Sequence, residues 1–163
     1  MVRRVFFSFH YENDHWRANP VRNSWVTQDD REAAGFIDSA EWEEVKRNGD
    51  AAIKRWINKQ LKNTSVTVVL IGSETADRKW VNYEIEQSYE RGNGLVGIYI
   101  HNIENRLKRT SRKGENPLVN WYVKENGRRK YFSDIFNTYY WKHNNGYQNL
   151  GDWVEEAATI VGR

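Results

Sequence analysis

A tryptophan and a glutamate stand four residues apart, Trp80 and Glu84, shortly after an apolar run at residues 66–71 that is typical of a buried strand. In a helix, side chains at this spacing project from neighbouring turns of one face. A helix that follows a parallel strand places its first turns at the crevice where open α/β sheets bind ligands. There, a carboxylate can stabilise positive charge in a transition state, and an indole can stack on a ring.

Glu84 also has a simpler interpretation, because acids are common in the first turns of helices, where the helix dipole favours them. Val81, Ile85 and Ser88 mark the buried face of this helix, and Glu84 falls at the edge of that face. Acids at such an edge are more often surface residues, but the position after a strand end, together with the motif context given below, favours a functional carboxylate. Trp80 is explained equally well as a core residue or as a ring that stacks on a ligand.

The composition describes a chain of 163 residues that can bury one ordinary core, and we expect residues 1–163 to form a single domain. Eight Trp, nine Tyr and six Phe supply much of the apolar bulk of that core. The sequence has no cysteine, which excludes disulfide bonds, thiolate zinc sites and cysteine nucleophiles. The four histidines follow no metal-ligand spacing, so we expect no metal site.

The chain begins on a strand pattern without the apolar core of a signal peptide, and no apolar run approaches the roughly 20 residues that span a bilayer. We therefore expect a cytoplasmic protein that does not enter a membrane. The net charge of +3 comes from 25 basic and 22 acidic residues, so the surface is mixed. Basic residues cluster at 106–113 and 128–130, but their irregular spacing favours solvated loops over a phosphate-binding surface.

Strand and helix patterns alternate along the chain, which predicts an α/β fold with a doubly wound, parallel, five-stranded sheet. The predicted strands cover residues 4–9, 33–38, 66–71, 95–100 and 136–141. The predicted helices begin at Asn19-Pro20, at Gly49-Asp50 and at Lys79, and a last one follows the final strand. Residues 39–48 are predicted as a loop with at most one helical turn, and residues 102–130 as a long insertion before the last strand.

Three well-known classes with this layout are excluded by their loops. A phosphoacceptor receiver needs an aspartate at the end of its third strand, but that strand ends Ile71-Gly72-Ser73 here. A flavodoxin needs a loop rich in Ser, Thr and Gly after its first strand, whereas residues 11–15 are acidic and lack glycine. The G-x-G-x-x-G match from Gly92 to Gly97 precedes a strand instead of following one, so it is not a dinucleotide fingerprint.

Four segments, taken in order, resemble TIR domains. Phe6-Phe7-Ser8-Phe9 is similar to the F-[IV]-S-[YF] opening of these domains, and residues 36–38 resemble their second strand. Residues 63–73 resemble the end of the following helix together with the third strand. Residues 80–85 resemble the W-x-x-x-E-[IL] motif, which carries the catalytic glutamate of TIR enzymes.

The resemblance covers about residues 2–100, and residues 4–11 and 21–27 are most similar to the ThsB-like proteins of the bacterial Thoeris anti-phage system. It implies a flavodoxin-like TIR fold and an enzyme that cleaves the N-glycosidic bond of NAD and releases nicotinamide. It also implies that the product is a cyclic ADP-ribose isomer, a second messenger that activates a partner effector protein. NAD is then the substrate, and no cofactor is implied.

Roles for individual residues follow from the same resemblance. Glu84 becomes the catalytic residue, because nicotinamide leaves as a neutral molecule and one carboxylate is enough to stabilise the ribosyl cation. The candidate substrate-binding residues are Phe6, Ser8, Phe9, His10, Asp38 and Trp80. Asp38 is explained at least as well by capping the next helical turn, and His10 by an exposed loop position. Phe36 and Trp42 can border the pocket from the loop after the second strand, although core packing is the better explanation for Phe36.

Two other functions stay open beside the enzyme. A non-enzymatic TIR interaction module would not need the carboxylate of Glu84, so the motif argues against it. A nucleic-acid binder would use the basic insertion, with Trp121, Tyr122 and Tyr131 as stacking platforms, and is the least favoured of the three. For the enzyme we further expect self-association through TIR surfaces and activation by a phage-derived trigger.

Overall fold

The computed structural model describes residues 2–163, in which seven strands and six α-helices are defined. The strands are β1 Arg3–Ser8, β2 Arg31–Ala34, β3 Val66–Ile71, β4 Gly94–Tyr99, β5 Tyr122–Glu125, β6 Arg128–Tyr131 and β7 Thr138–Tyr140. The helices are α1 Tyr11–Val26, α2 Ser39–Arg47, α3 Asp50–Leu61, α4 Lys79–Glu90, α5 Phe132–Ile135 and α6 Gly146–Ile160.

Five strands form one sheet in the order β2-β1-β3-β4-β7, and every neighbouring pair in it is parallel. The prediction of a parallel, five-stranded, doubly wound sheet is therefore confirmed. β5 and β6 form a separate antiparallel hairpin within the segment that joins β4 to β7. Because all five strands run the same way, the carboxyl ends of β1 and β3 meet at one edge, where α1 and α4 begin.

The core lies on both faces of this sheet. On one face Val5, Phe7 and alternate residues of β3 and β4 pack against the buried sides of α1 and α6. On the other face Phe6 packs with Ile53, Ile57 and other apolar residues under α3, while a second cluster lies under α4. Every residue of β3 is buried, which explains why its sequence shows no alternation of polar and apolar residues.

The first helix begins nine residues earlier than predicted, at Tyr11 instead of Pro20. The predicted start at Asn19-Pro20 is wrong, because Pro20 lies inside α1. A proline in a helix interior costs about 3 kcal/mol, since it removes a hydrogen bond and its ring crowds the preceding turn. One buried stripe outweighs this cost, and its members are Asp14, Arg17, Ala18, Val21 and Trp25.

The second strand and the loop after it also differ from the prediction. β2 ends at Ala34 and not at Asp38, and residues 39–47 form a complete helix instead of a loop. Asp38 caps this helix, since its side chain accepts a hydrogen bond from the backbone N–H of Glu41 at 2.9 Å. None of the residues of α2 is fully buried, so its apolar signal was too weak to predict a helix.

The other predicted elements are found close to their expected positions. The helices predicted from Asp50 and Lys79 correspond to α3 and α4, and α4 is followed by Gly92 at a positive φ of 82°, as expected of a left-handed cap. In the predicted insertion, residues 102–116 contain no helix or strand, and a 3-10 turn and the β5–β6 hairpin follow. The guanidinium of Arg17 in α1 donates hydrogen bonds to the carbonyl oxygens of Ile103 and Arg109, at 2.9 and 3.0 Å, and so connects this segment to α1.

Candidate active site

A buried carboxyl group stands where β1 ends and α4 begins. Glu84 is the sixth residue of α4, and only 7% of its surface is exposed. The hydroxyl of Ser8, the fully buried last residue of β1, donates a hydrogen bond of 2.7 Å to Oε1 of Glu84. Oε2 accepts no hydrogen bond from any residue between 2 and 163.

Burial dominates the chemistry of this carboxyl. It raises the pKa of Glu84 to about 8, and the hydrogen bond from Ser8 opposes that change only in part. A neutral carboxyl is thus favoured at pH 7 in the substrate-free protein. A shift of this size in a cleft is typical of a functional group more than of a surface acid.

Glu84 forms part of the wall of a cavity of about 280 Å³. Six parts of the chain contribute to the wall: the end of β1, the start of α1, the loop after β2, α2, α3 and the start of α4. The wall residues are Phe7, Phe9, His10, Tyr11, Glu12, Gly35, Ile37, Trp42, Lys46, Trp56, Arg78, Lys79, Trp80, Val81 and Glu84. The cavity therefore opens at the carboxyl end of the sheet, as expected for a ligand site in this class of fold.

Aromatic rings lie on two parts of this wall. Trp80, from the first turn of α4, meets Tyr83 edge to face with ring centroids 5.8 Å apart. Trp42 of α2 lies 5.8 Å from Trp56 of α3 and 6.1 Å from Tyr11 of α1. Flat apolar surfaces of this kind suit the ring systems of a nucleotide.

Basic side chains line the same cavity and differ in how far they are neutralised. Lys46 is held by Glu12, with Nζ 2.9 Å from Oε1. Lys79 forms a similar pair with an exposed aspartate of α3. Within residues 2–163, the ion pair of Arg78 is a half-exposed contact of 3.5 Å with Glu74. Arg78 is therefore the wall cation best able to exchange its partner for a phosphate.

His10 contributes an imidazole that favours its neutral form. Burial lowers its pKa, and the nearby charge of Arg78 lowers it further. Its Nδ1 is buried and has no hydrogen-bond partner among residues 2–163. A buried polar atom without a partner at a cavity wall is a position where a ligand can complete the bonding.

The structure brings most of the predicted site residues together. Phe9, His10, Trp80 and Glu84 line the cavity, and Ser8 lies directly behind Glu84. Two predicted substrate-binding residues lie elsewhere. Phe6 is fully buried beneath α3, and Asp38 is an exposed helix cap, so neither belongs to the wall.

Several wall residues were missed because they depend on elements that the sequence did not reveal. Lys46 is on α2, for which the sequence predicts a loop, and Trp56 reaches the wall from α3. Tyr11 and Glu12 belong to the first turn of α1, whose start was placed too late. Trp42 was considered as a pocket residue and does line the cavity. Phe36 packs between Phe7 and Phe9.

Other site classes find little support between residues 2 and 163. No group of three or more His, Asp or Glu side chains there is arranged to hold a metal ion. No helix in the described chain is long and apolar enough to cross a membrane. Trp121 is not a free stacking platform, because its Nε1 donates to Asn82 and its ring packs on Phe132.

The parallel sheet and a buried glutamate one turn after a tryptophan, at the carboxyl end of the sheet, define a TIR-like domain. Comparison with known families agrees, since the model described as "Thoeris protein ThsB, TIR-like domain" matches residues 6–105. The chain is also 37% identical over 191 aligned positions to a Bacillus cereus (strain MSX-D12) protein named "Putative cyclic ADP-D-ribose synthase ThsB1". That alignment covers 94% of this chain and 100% of the relative. The chain belongs to the ThsB family of Thoeris TIR-like proteins.

Proposed function

We propose that this chain is an enzyme that cleaves NAD, releases nicotinamide and closes the remaining ADP-ribose into a cyclic isomer. The printed name of the Bacillus cereus relative, a cyclic ADP-D-ribose synthase, supports this reaction. The observation that carries the proposal is Glu84, a carboxyl that is 7% exposed at a cavity wall with one hydrogen bond, from Ser8. Burying such a group costs folding free energy, so its position points to a role in the reaction.

The reaction begins at the bond between C1′ of the ribose and the ring nitrogen of nicotinamide. The electron pair of this bond leaves with nicotinamide, which becomes neutral and needs no general acid. The ribose keeps the positive charge, and the carboxylate of Glu84, which is itself shielded from water by burial, stabilises it. A lone pair from the adenosine half of the same molecule then forms the new bond to C1′. When that atom is a hydroxyl oxygen, its proton passes to Glu84 or to water.

Glu84 must be ionised to stabilise this charge, although its pKa is about 8 without substrate. The pyridinium ring of NAD carries a positive charge, which favours the ionised form of a nearby carboxyl. Binding of NAD near neutral pH is therefore coupled to the loss of a proton from Glu84. This coupling favours the oxidised, cationic substrate over its neutral reduced form.

The other wall residues receive binding roles in this proposal. Trp80 stacks on a ring of the substrate beside Glu84, and Phe9 and His10 close the cavity at the end of β1. Arg78 pairs with the diphosphate, because its present carboxylate partner is distant and half-exposed. Phe6 and Asp38 are left out of the substrate-binding set, since the first is enclosed in the core and the second caps α2.

In the cell, we assign the cyclic product the role of a second messenger in bacterial anti-phage defence that activates a partner effector protein. The proposal includes a cytoplasmic location, a single domain over residues 1–163, self-association through TIR surfaces and activation by a phage-derived trigger. A non-enzymatic TIR module is the alternative. It has no use for a buried carboxyl at a cavity wall and predicts that NAD stays intact.

The test is to incubate the purified protein with NAD and to analyse the small molecules by chromatography and mass spectrometry. Lysate from phage-infected cells is added in a parallel reaction, because the proposed enzyme responds to infection. We expect nicotinamide together with an isomer that has the mass of cyclic ADP-ribose. Intact NAD in both reactions would contradict the proposal and favour the interaction module.

A further inference from the structure

The aromatic residues of the cavity belong to two separate groups. Trp80 pairs with Tyr83 on α4, whereas Trp42 pairs with Tyr11 and Trp56 on the elements opposite. Between residues 2 and 163, no close ring contact joins Trp80 to either of the other two tryptophans of the cavity. The wall thus offers two aromatic surfaces, and Trp80 of the first lies one helical turn before Glu84.

Trp42 has an unused hydrogen-bond donor. Its indole Nε1 is buried, and no acceptor among residues 2–163 satisfies it. An indole N–H can only donate, so the missing partner must be an acceptor. Because Trp42 lines the cavity, a bound molecule with a lone pair at this position would satisfy the donor.

The surroundings of Trp42 contribute an aromatic support and a lysine whose charge is neutralised by two carboxylates. The Nζ of Lys46 lies 5.9 Å from the centre of the Trp42 ring, between Glu12 and Glu43. Trp56 supports the indole from α3 with an edge-to-face contact. An aromatic base with ring nitrogens that accept hydrogen bonds fits this arrangement.

We propose that Trp42 is the adenine-binding residue of the site, which rests on the proposed cleavage of NAD. Its Nε1 donates to an acceptor of the adenine base, and Trp56 and Tyr11 hold its ring in place. The nicotinamide riboside half lies between Trp80 and Glu84. A dinucleotide that contacts both aromatic surfaces is folded, with its adenosine half held close to C1′ of the reacting ribose.

Folding decides which nucleophile completes the reaction. When adenine stays on Trp42, an atom of the adenosine half supplies the electron pair that forms the new bond to C1′, and the product is cyclic. When adenine leaves, a water oxygen forms that bond, a proton is released, and the product is linear ADP-ribose. Trp42 therefore controls the ratio of cyclic to linear product, while Glu84 controls the rate of nicotinamide release.

The first test compares Trp42→Phe, which keeps an aromatic ring and removes the N–H, with the wild-type protein. The matched control is Trp16→Phe, because Trp16 lies on α1 outside the cavity wall and is 45% exposed. In Trp42→Phe we expect the ratio of cyclic to linear product to fall about fivefold, the effect of one hydrogen bond. An unchanged product ratio would overturn the proposal.

The second test needs no catalysis and so separates this proposal from the proposed function. The Glu84→Gln protein is labelled with ¹⁵N in its eight tryptophans, and the indole resonance of Trp42 is assigned by its absence from the double variant with Trp42→Phe. We expect adenosine monophosphate to shift this resonance and nicotinamide mononucleotide to leave it in place. A resonance that does not respond to adenosine monophosphate, or responds only to nicotinamide mononucleotide, overturns the assignment. If the wild-type protein releases no nicotinamide, the proposed cleavage of NAD is refuted, but the assignment of Trp42 to adenine is not.

Discussion

The hydroxyl of Ser8 donates a 2.7 Å hydrogen bond to Oε1 of Glu84, joining the last residue of β1 to the second turn of α4. The two residues are 76 positions apart in the sequence, so the sheet and the helix must pack correctly before the bond can form. Both are buried, and a hydrogen bond away from water holds its geometry more firmly than an exposed one. Ser8 therefore positions the carboxyl that we propose as catalytic.

Replacing Ser8 with alanine tests this positioning role. We expect Ser8→Ala to lower kcat about tenfold, the effect of a misplaced catalytic group, with a smaller change in KM. The hydrogen bond lowers the pKa of Glu84, so its loss moves the rising limb of the pH–rate profile to higher pH. The measurement is nicotinamide release over a pH series.

The matched control for Ser8 is Ser88→Ala. Ser88 is also a buried serine, but its hydroxyl pairs with that of Thr67 at 2.6 Å and does not line the cavity. This variant should lose about 1 kcal/mol of stability and keep the wild-type pH profile. A pH profile of Ser8→Ala that overlays the wild-type curve would show that the bond does not tune Glu84.

The stability of the protein should depend on pH through Glu84. Its pKa is about 8 when folded and near 4.5 when unfolded, so the folded protein holds the extra proton between these values. The contribution to the free energy of unfolding is complete below pH 4.5 and declines as pH rises to 8, by up to about 1.4 kcal/mol per pH unit. Urea denaturation of wild type and Glu84→Gln from pH 5 to 8.5 measures this difference. Parallel stability curves for the two proteins would contradict it.

Binding of a substrate analogue should release a proton. At pH 7 Glu84 is mostly protonated, and a cationic pyridinium favours its ionised form. The probe is carba-NAD, in which a carbon replaces the ribose ring oxygen and blocks cleavage. Calorimetry in buffers of different ionisation enthalpy is expected to show the release of most of one proton per site. The Glu84→Gln protein should release none, and equal release by both proteins would rule out Glu84 as its source.

The buried pair of Asp14 and Arg17 should matter more for stability than any surface ion pair. Nη1 of Arg17 lies 3.4 Å from Oδ1 of Asp14, and the same guanidinium donates to two carbonyl oxygens of the segment after β4. Burial raises the pKa of Asp14 to about 6. Arg17→Met leaves this acid buried without its partner, and we expect a loss of about 3–5 kcal/mol in chemical denaturation.

The control for this pair is the double change Asp14→Asn with Arg17→Met, which should recover part of the loss because it removes the unpaired charge. The exposed pair of Arg47 with Glu44 offers a second comparison, and Arg47→Met should change stability by less than about 1 kcal/mol. Equal losses for Arg17→Met and Arg47→Met would contradict the account.

The central strands and the position of Glu84 on the helix after β3 were predictable because their signals are local. β3 is a continuous apolar run buried on both faces, and the spacing of Trp80 and Glu84 fixes their positions on one helix. Phe6 was also predicted to bind substrate, but it lies two residues before Ser8 on the same face of β1, packed under α3 and outside the cavity wall. The alternation of side chains along a strand predicts the face of the sheet on which a residue lies. It does not predict how far that residue lies from the site at the end of the strand.

The remainder of the site depends on packing that the sequence did not reveal. α2 is a short, capped helix on the surface, and only Trp42 and Val45 of its residues pack against a core cluster. With α2 predicted as a loop, Lys46 was not placed on the wall. α1 begins at Tyr11 because its buried stripe outweighs the cost of Pro20 inside the helix. Helix propensity alone would place the start of the helix at Pro20.

The central claim is tested most directly by the rate of nicotinamide release from NAD by wild type and Glu84→Gln under saturating substrate. Glu90→Gln is the control, because Glu90 is an exposed acid at the far end of the same helix. We predict that Glu84→Gln remains folded and loses about 10²–10³-fold in kcat, as expected when the main electrostatic stabilisation of a transition state is removed. Glu90→Gln should match the wild type. A folded Glu84→Gln protein that releases nicotinamide at the wild-type rate would contradict the account.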